Sequence, residues 1–149
     1  MTLPNTLRER EQWLVSGEDK APRSVKTGAY ADVRDPTLYV TYKEAVSYAQ
    51  KHGFDIGFAV TLDDPFTVID LDEPATEEQQ LRHARILETF NTYAELSRSG
   101  KGVHIWCLGS VPRGVRRDKV ELYSEARYMI CTGKVIENHE KPVQDCQEF

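Results

Sequence analysis

Three cysteines in 149 residues, with no Cys-x-x-Cys pair among them, leave this chain without the usual framework of a zinc module or a disulfide scaffold. Cys131, His139 and Cys146 could be combined on paper, but their spacing matches no common zinc pattern. The odd count (Cys107, Cys131, Cys146) points to free thiols in a reducing, cytoplasmic setting. No apolar run approaches the ~18 residues of a membrane helix, and the N-terminal MTLPNTLREREQWLV has no apolar signal core. No membrane partner is therefore expected. Repeats, linkers and low-complexity tracts are also missing, so the length reads as one domain over residues 1–149.

A basic excess is missing too. The formal net charge of −5 argues at first sight against a nucleic-acid partner, because phosphate binding wants a basic surface. The charge is segregated, however. From Asp63 to Glu95 nine acidic residues face only Arg82 and Arg85, whereas from Arg98 to Arg127 seven basic residues face three acidic ones. With 40% hydrophobic and 29% charged residues, the chain has the balance of a globular protein with a real core.

Periodicity and turn chemistry place the elements. QWLV (12–15) reads as a short strand, and 17–38 as an irregular segment carrying Lys20, Arg23 and Lys26. Thr41-Tyr-Lys-Glu44 is a capping box opening a helix that Gly53 stops, with Tyr42, Ala45, Val46 and Ala49 at helical spacing. Residues 55–62 and 66–72 read as a hairpin turned at Asp63-Asp64-Pro65. Pro74 and the Thr76-x-x-Gln79 box start a second helix, with Leu81, Ala84, Leu87 and Phe90 as its apolar face. Residues 92–97 and 103–108 flank a Ser97–Gly102 loop, and 119–123 and 127–132 suggest a last hairpin at Ser124-Glu125-Ala126. The order predicts an α+β fold with an antiparallel or mixed sheet and helices on one side.

Four features carry chemistry. TVIDLD (67–72) ends an apolar run with Asp70 and Asp72 on one strand face, a repulsive pair that needs solvent, an arginine or a metal beside it. Hard cations such as Mg²⁺ take such oxygen ligands, although a lone Asp-x-Asp is more often an exposed turn or a helix-capping pair. Ser99-Gly-Lys-Gly102 can curl around an anion or simply turn a hairpin, and it lacks the length of a Walker A loop. His104 directly follows it and is either a core histidine or a donor to phosphate. Glu121 sits among apolar neighbours in VELY (120–123), followed by Arg127.

Together, FTVIDLD, SRSGKGVHIW and VELYSEARYMICTG resemble the three motifs of the archaeo-eukaryotic primase superfamily, and most of all the bifunctional primase–polymerase domain of phage and plasmid replication proteins. QWLV, KAPR and DIGFAV fall where that family has similar segments, so the resemblance covers about residues 12–135. It implies an RRM-like catalytic core in which Asp70, Asp72 and Glu121 bind Mg²⁺ or Mn²⁺. Ser99, Lys101 and His104 would hold the triphosphate of the incoming nucleotide, with Arg127 and Tyr128 matching an Arg-Tyr after the third motif. QWLVSGEDK departs from the family in lacking a second tryptophan, and no helical primase domain, zinc module or helicase follows Phe149. The chain therefore reads as a catalytic module of a longer replication protein or a small member.

The resemblance implies two-metal, template-directed nucleotidyl transfer on nucleoside triphosphates with single-stranded DNA template and primer, in the host cytoplasm if the chain is of phage origin. The basic stretch Arg113, Arg116, Arg117 and Lys119 is the expected track for the template. A two-metal nuclease would present the same carboxylates and histidine, though without need of a triphosphate loop. An RRM-like single-strand binder is the alternative outside enzymes, stacking bases on Phe58, Trp106 and Tyr123.

Overall fold

Thr41 caps the first long helix, accepting from the Glu44 N–H while the Glu44 carboxylate takes the Thr41 N–H, and Gly53 ends it in the left-handed conformation at φ 69°. The computed structural model describes residues 3–147. In chain order the elements are α1 (Asn5–Arg8), β1 (Trp13–Ser16), β2 (Pro22–Arg23), α2 (Tyr42–His52), β3 (Asp55–Val60) and β4 (Phe66–Leu71). There follow α3 (Glu77–Thr89), β5 (Ala94–Leu96), β6 (Val103–Leu108), β7 (Val115–Arg117), β8 (Val120–Tyr123), β9 (Arg127–Ile130) and β10 (Gln144–Asp145). The fold is α+β, with antiparallel pairing throughout except for the parallel β10–β6 pair.

The strands divide between two sheets. One runs β2-β1-β3-β9, the other β10-β6-β4-β8-β7 with β5 also paired to β6. Neither β3/β4 nor β8/β9 is the hairpin that its short turn suggests, because each turn hands the chain from one sheet to the other. At the first crossing Asp64 accepts from the Thr61 and Phe66 N–H groups and from Gln12 Nε2, tying the corner to the residue just before β1. At the second, the Ser124 hydroxyl is hydrogen-bonded to Thr67 and accepts from the Val111 N–H, and Ala126 takes φ 50°. The β5–β6 hairpin does form across the Ser97–Gly102 loop.

Phe58 of β3 meets Phe66 of β4 and Trp106 of β6 edge-on, with ring centroids 5.6 Å away in both cases, and Trp13 of β1 packs on Phe58 from behind. These rings are fully buried or nearly so and weld the two sheets together. Phe58 and Trp106 therefore cannot stack bases, and Tyr123 lies beneath the Arg127 guanidinium, 4.4 Å from ring centroid to Cζ. The helices also sit on different sheets. α2 packs Ala45 and Ala49 into the aromatic core, while α3 covers the outer face of the second sheet, over Ile69, Leu71, Ile105 and Cys107. The buried stripe of α3 is His83, Ile86, Leu87 and Phe90, so Leu81 and Ala84 face solvent instead. Thr76 caps the Gln79 N–H as expected, but the Gln79 side chain accepts from Ala75 rather than Thr76.

The three cysteines are free and buried, and Cys131 and Cys146 belong to different hydrophobic clusters, which excludes them as joint ligands. Among the described residues no helix is long and apolar enough to cross a membrane.

Gly57 is a close-approach position. A Cβ there would lie 2.3 Å from the ring of Tyr128, whose hydroxyl reaches across β3 to donate to Ser16 of β1. Gly57→Ala should therefore destabilise the fold by roughly 1–3 kcal/mol, the usual range for overpacking, read as a lower urea midpoint at unchanged slope.

Candidate active site

β4 is the centre of the second sheet, flanked by β6 and β8, and the register places Asp70 opposite His104 on one side and Glu121 on the other. All three share the inner face that begins with Phe66, Val68 and Trp106, so the apolar interface between the sheets ends in a polar floor. Asp72 lies just beyond β4. Its N–H donates to the Lys119 carbonyl, and its own carbonyl is bonded to Nε2 of the buried His83 of α3. Carboxylate oxygens of Asp70, Asp72 and Glu121 lie within 4.8 Å of one another.

Two arginines offset this concentration of charge. Arg127 of β9 bridges, its Nη2 standing 3.8 Å from Asp70 Oδ2 and 3.6 Å from Glu121 Oε2. Arg116 of β7 places Nε 3.1 Å from Glu121 Oε1. The compensation is incomplete at Asp70, whose carboxyl is pushed up to about 7, first by burial, then by the Asp72 and Glu121 charges, with Arg127 opposing. His104 moves the other way, to about 4, because burial and the Arg127 charge disfavour its cation. The imidazole is neutral at pH 7, with Nε2 3.6 Å from Asp70 Oδ1.

The floor opens into a cleft of about 660 Å³. One wall carries Ser97, Arg98, Ser99 and Gly102, and the other Ala31, Val33, Tyr128 and Ile130. Asp70, Asp72, Ser99, His104 and Arg127 thus converge on one cavity, with Glu121 in the floor cluster. Lys101 sits at the exposed tip of the loop, outside the cleft lining. Arg113, Arg117 and Lys119 belong to an exposed stretch beside it, where Arg117 pairs with Asp118 at 3.6 Å.

The loop is more self-contained than its glycines suggest. The Gly100 N–H donates to the Ser97 carbonyl, Lys101 N–H to Ser99 Oγ and Gly102 N–H to Ser97 Oγ. These three backbone donors are thus engaged within the turn. Gly102 is required by packing, since a Cβ there would lie 2.9 Å from the Leu71 carbonyl.

Two residues outside the motif reading shape the site. His83 anchors Asp72, and nothing in the spacing of α3 marks it. Glu95 has no exposed surface and pairs with His104 across the hairpin. The symmetry of the 97–102 loop already sets that register, so Glu95 was within reach of the sequence.

Clustered carboxylates with oxygens in mutual reach, one of them resisting ionisation, form a donor set suited to a hard divalent cation. His104, buried and with no hydrogen-bond partner at Nδ1, borders that set. No protein-family model matches the chain. It is similar to a DNA primase-polymerase of Nitratiruptor phage NrS-1, 28% identical over 139 residues that cover 86% of this chain and 19% of that protein. The chain thus spans less than a fifth of that relative's length, and the similarity supports a relationship to primase-polymerases.

The raised Asp70 pKa carries a stability consequence. Its ionised form is disfavoured in the folded state, so the metal-free protein loses stability as pH rises from about 4 to about 7. Asp70→Asn should leave stability nearly unchanged at pH 4 and raise it by on the order of 2 kcal/mol at pH 8. Urea titrations in chelator at both pH values read the difference.

Proposed function

We propose that this chain is the catalytic module of a DNA primase-polymerase, performing template-directed nucleotidyl transfer in phage or plasmid replication. The observation that carries the reading is the convergence of Asp70, Asp72 and Glu121 at the floor of a cleft walled by the Ser97–Gly102 loop. The similarity to the phage primase-polymerase supports it independently.

Asp70, Asp72 and Glu121 would hold Mg²⁺ or Mn²⁺, which, when bound, lowers the pKa of a primer 3′-hydroxyl and neutralises the leaving pyrophosphate. The protein's own groups prepare that floor. β4 and β8 hold Asp70 and Glu121 in register, with Asp72 just past the end of β4, before substrate arrives, so no strand need reorganise. Arg127 supplies a fixed positive charge between Asp70 and Glu121 and spans the two sheets. Ser99 and His104 border the nucleotide side of the cleft, and Lys101 at the loop tip is placed to reach outer phosphate oxygens. The apolar wall of Ala31, Val33, Tyr128 and Ile130 suits the nucleobase of a nucleoside triphosphate. Single-stranded template runs past the exposed Arg113, Arg117 and Lys119, with Arg116 joining once released from Glu121. A helicase or helical primase domain is the expected partner, and the host cytoplasm the expected compartment.

Extension of a labelled primer on single-stranded DNA, with deoxynucleoside triphosphates and Mg²⁺ or Mn²⁺, tests this. Wild type should extend, and Asp70→Ala or Asp72→Ala should lower the rate by roughly 100-fold or more, the scale of losing one electrostatic group in an active site. Metal-dependent degradation of the strand with no extension would overturn the reading in favour of a nuclease.

A further inference from the structure

Arg98 belongs to the β5–β6 loop of the second sheet, but its head group is held by the first. Its Nε stands 2.9 Å from Asp55 Oδ2 at the start of β3, and its Nη1 donates to the Glu18 carbonyl at 3.2 Å. Glu18 lies in the turn after β1, which the Lys20 N–H closes by donating to the Gly17 carbonyl, with Lys20 itself at φ 64°. One guanidinium thus staples the 97–102 loop to the 17–20 turn. Both segments contribute a cation to the lining of the cleft, Arg98 from the loop and Lys20 from the turn.

Neither cation is fully engaged. A guanidinium offers five N–H donors, and the contacts to Asp55 and Glu18 leave Nη2 without a hydrogen-bond partner among the described residues. Lys20 is exposed and has no ion pair or side-chain hydrogen bond among the described residues. The third arginine or lysine of the lining, Arg127, is already committed to Asp70 and Glu121. Of the acids that share the cleft, Asp32 is paired with Arg34 at 3.6 Å.

A polyphosphate in this cleft meets an acidic floor, so its outer end needs positive charge away from that floor. The loop supplies little of it through its backbone, because the N–H groups of Gly100, Lys101 and Gly102 are bonded within the turn. The Lys101 side chain lies outside the cleft lining. Lys20 and Arg98 remain. A planar guanidinium can keep its two anchoring contacts and still present a donor edge to phosphate, which a lysine ammonium cannot do.

We infer that Lys20 and Arg98 form a clamp for the outer phosphates of the bound nucleoside triphosphate, with Arg98 also positioning Lys20 through the Glu18 carbonyl. The inference rests on reading the cleft as a nucleotide site. Because Arg98 holds the turn that carries Lys20, the two contributions are coupled, and removing both costs less than the two single losses combined.

Calorimetric titration of inorganic tripolyphosphate into the full chain, in Mg²⁺, tests it. Wild type should bind, and Lys20→Ala and Arg98→Ala should each weaken binding about 10-fold or more, the scale of a hydrogen bond to a charged group. Lys101→Ala should weaken it much less. Asp55→Asn separates a phosphate ligand from a mere tie between sheets. It removes a negative charge that competes for Arg98, so tripolyphosphate affinity should hold or rise, whereas a purely structural Arg98 predicts the same loss as Arg98→Ala. Acylation footprinting of wild type needs no variant, and tripolyphosphate should protect the Lys20 amine more strongly than that of Lys101. Unprotected Lys20, unchanged affinity in Lys20→Ala or Arg98→Ala, or equal losses in Asp55→Asn and Arg98→Ala would each overturn the inference. Any of these in a protein that still extends a primer leaves the primase-polymerase reading standing. Tripolyphosphate held by Lys20 and Arg98 in a chain that extends no primer supports the clamp and overturns that reading.

Discussion

Repulsion among Asp70, Asp72 and Glu121 is the constraint around which the rest of the structure is arranged. Three carboxylates within 4.8 Å at the edge of an apolar interface are unfavourable unless positive charge is brought to them. The protein answers with Arg127 and Arg116, neither of which is local to β4. Arg127 comes from β9 in the other sheet, so the position of one sheet against the other sets the charge balance at the floor. The arginines leave Asp70 with a carboxyl at about 7, and that residual strain is what the proposed divalent cation would relieve.

The two chain crossings acquire their meaning from this requirement. If β8 and β9 formed a hairpin in one sheet, Arg127 would project beside Glu121 rather than across the cleft. By passing from β8 to β9 at Ser124–Ala126, the chain brings the guanidinium over Tyr123 and toward both acids. The aromatic weld of Phe58, Phe66 and Trp106 holds the sheets at that separation. On the face of the polar floor, Phe66 lies four residues back along β4 from Asp70 and Trp106 two residues beyond His104 along β6. Core and site are one continuous layer whose chemistry changes at a single register position.

Much of this was legible in the sequence because the signals were local. The capping box at Thr41, the Gly53 stop, the β5–β6 hairpin and the shared face of Val68 and Asp70 depend on residues a few positions apart. Strand pairing was less legible, since Asp63-Asp64-Pro65 and Ser124-Glu125-Ala126 look like hairpin turns, and only the distant partners Gln12, Thr67 and Val111 show them to be crossings. The α3 stripe was misplaced because its most buried member is His83, which hydropathy counts as polar and which is buried for its bond to Asp72. The candidate acids were found from their pattern in motifs, but their arginine partners were not pairable from sequence, because Arg127 reaches them across two sheets.

Calorimetric titration of Mn²⁺ into the chain at pH 7, in two buffers of different ionisation enthalpy, addresses the central claim most directly. A carboxyl poised near 7 must give up its proton when the cation binds. The account predicts saturable binding that releases about half a proton, falling toward none at pH 9, and a loss of that release in Asp70→Asn. Binding with no proton release at pH 7, or release unchanged in Asp70→Asn, would contradict it.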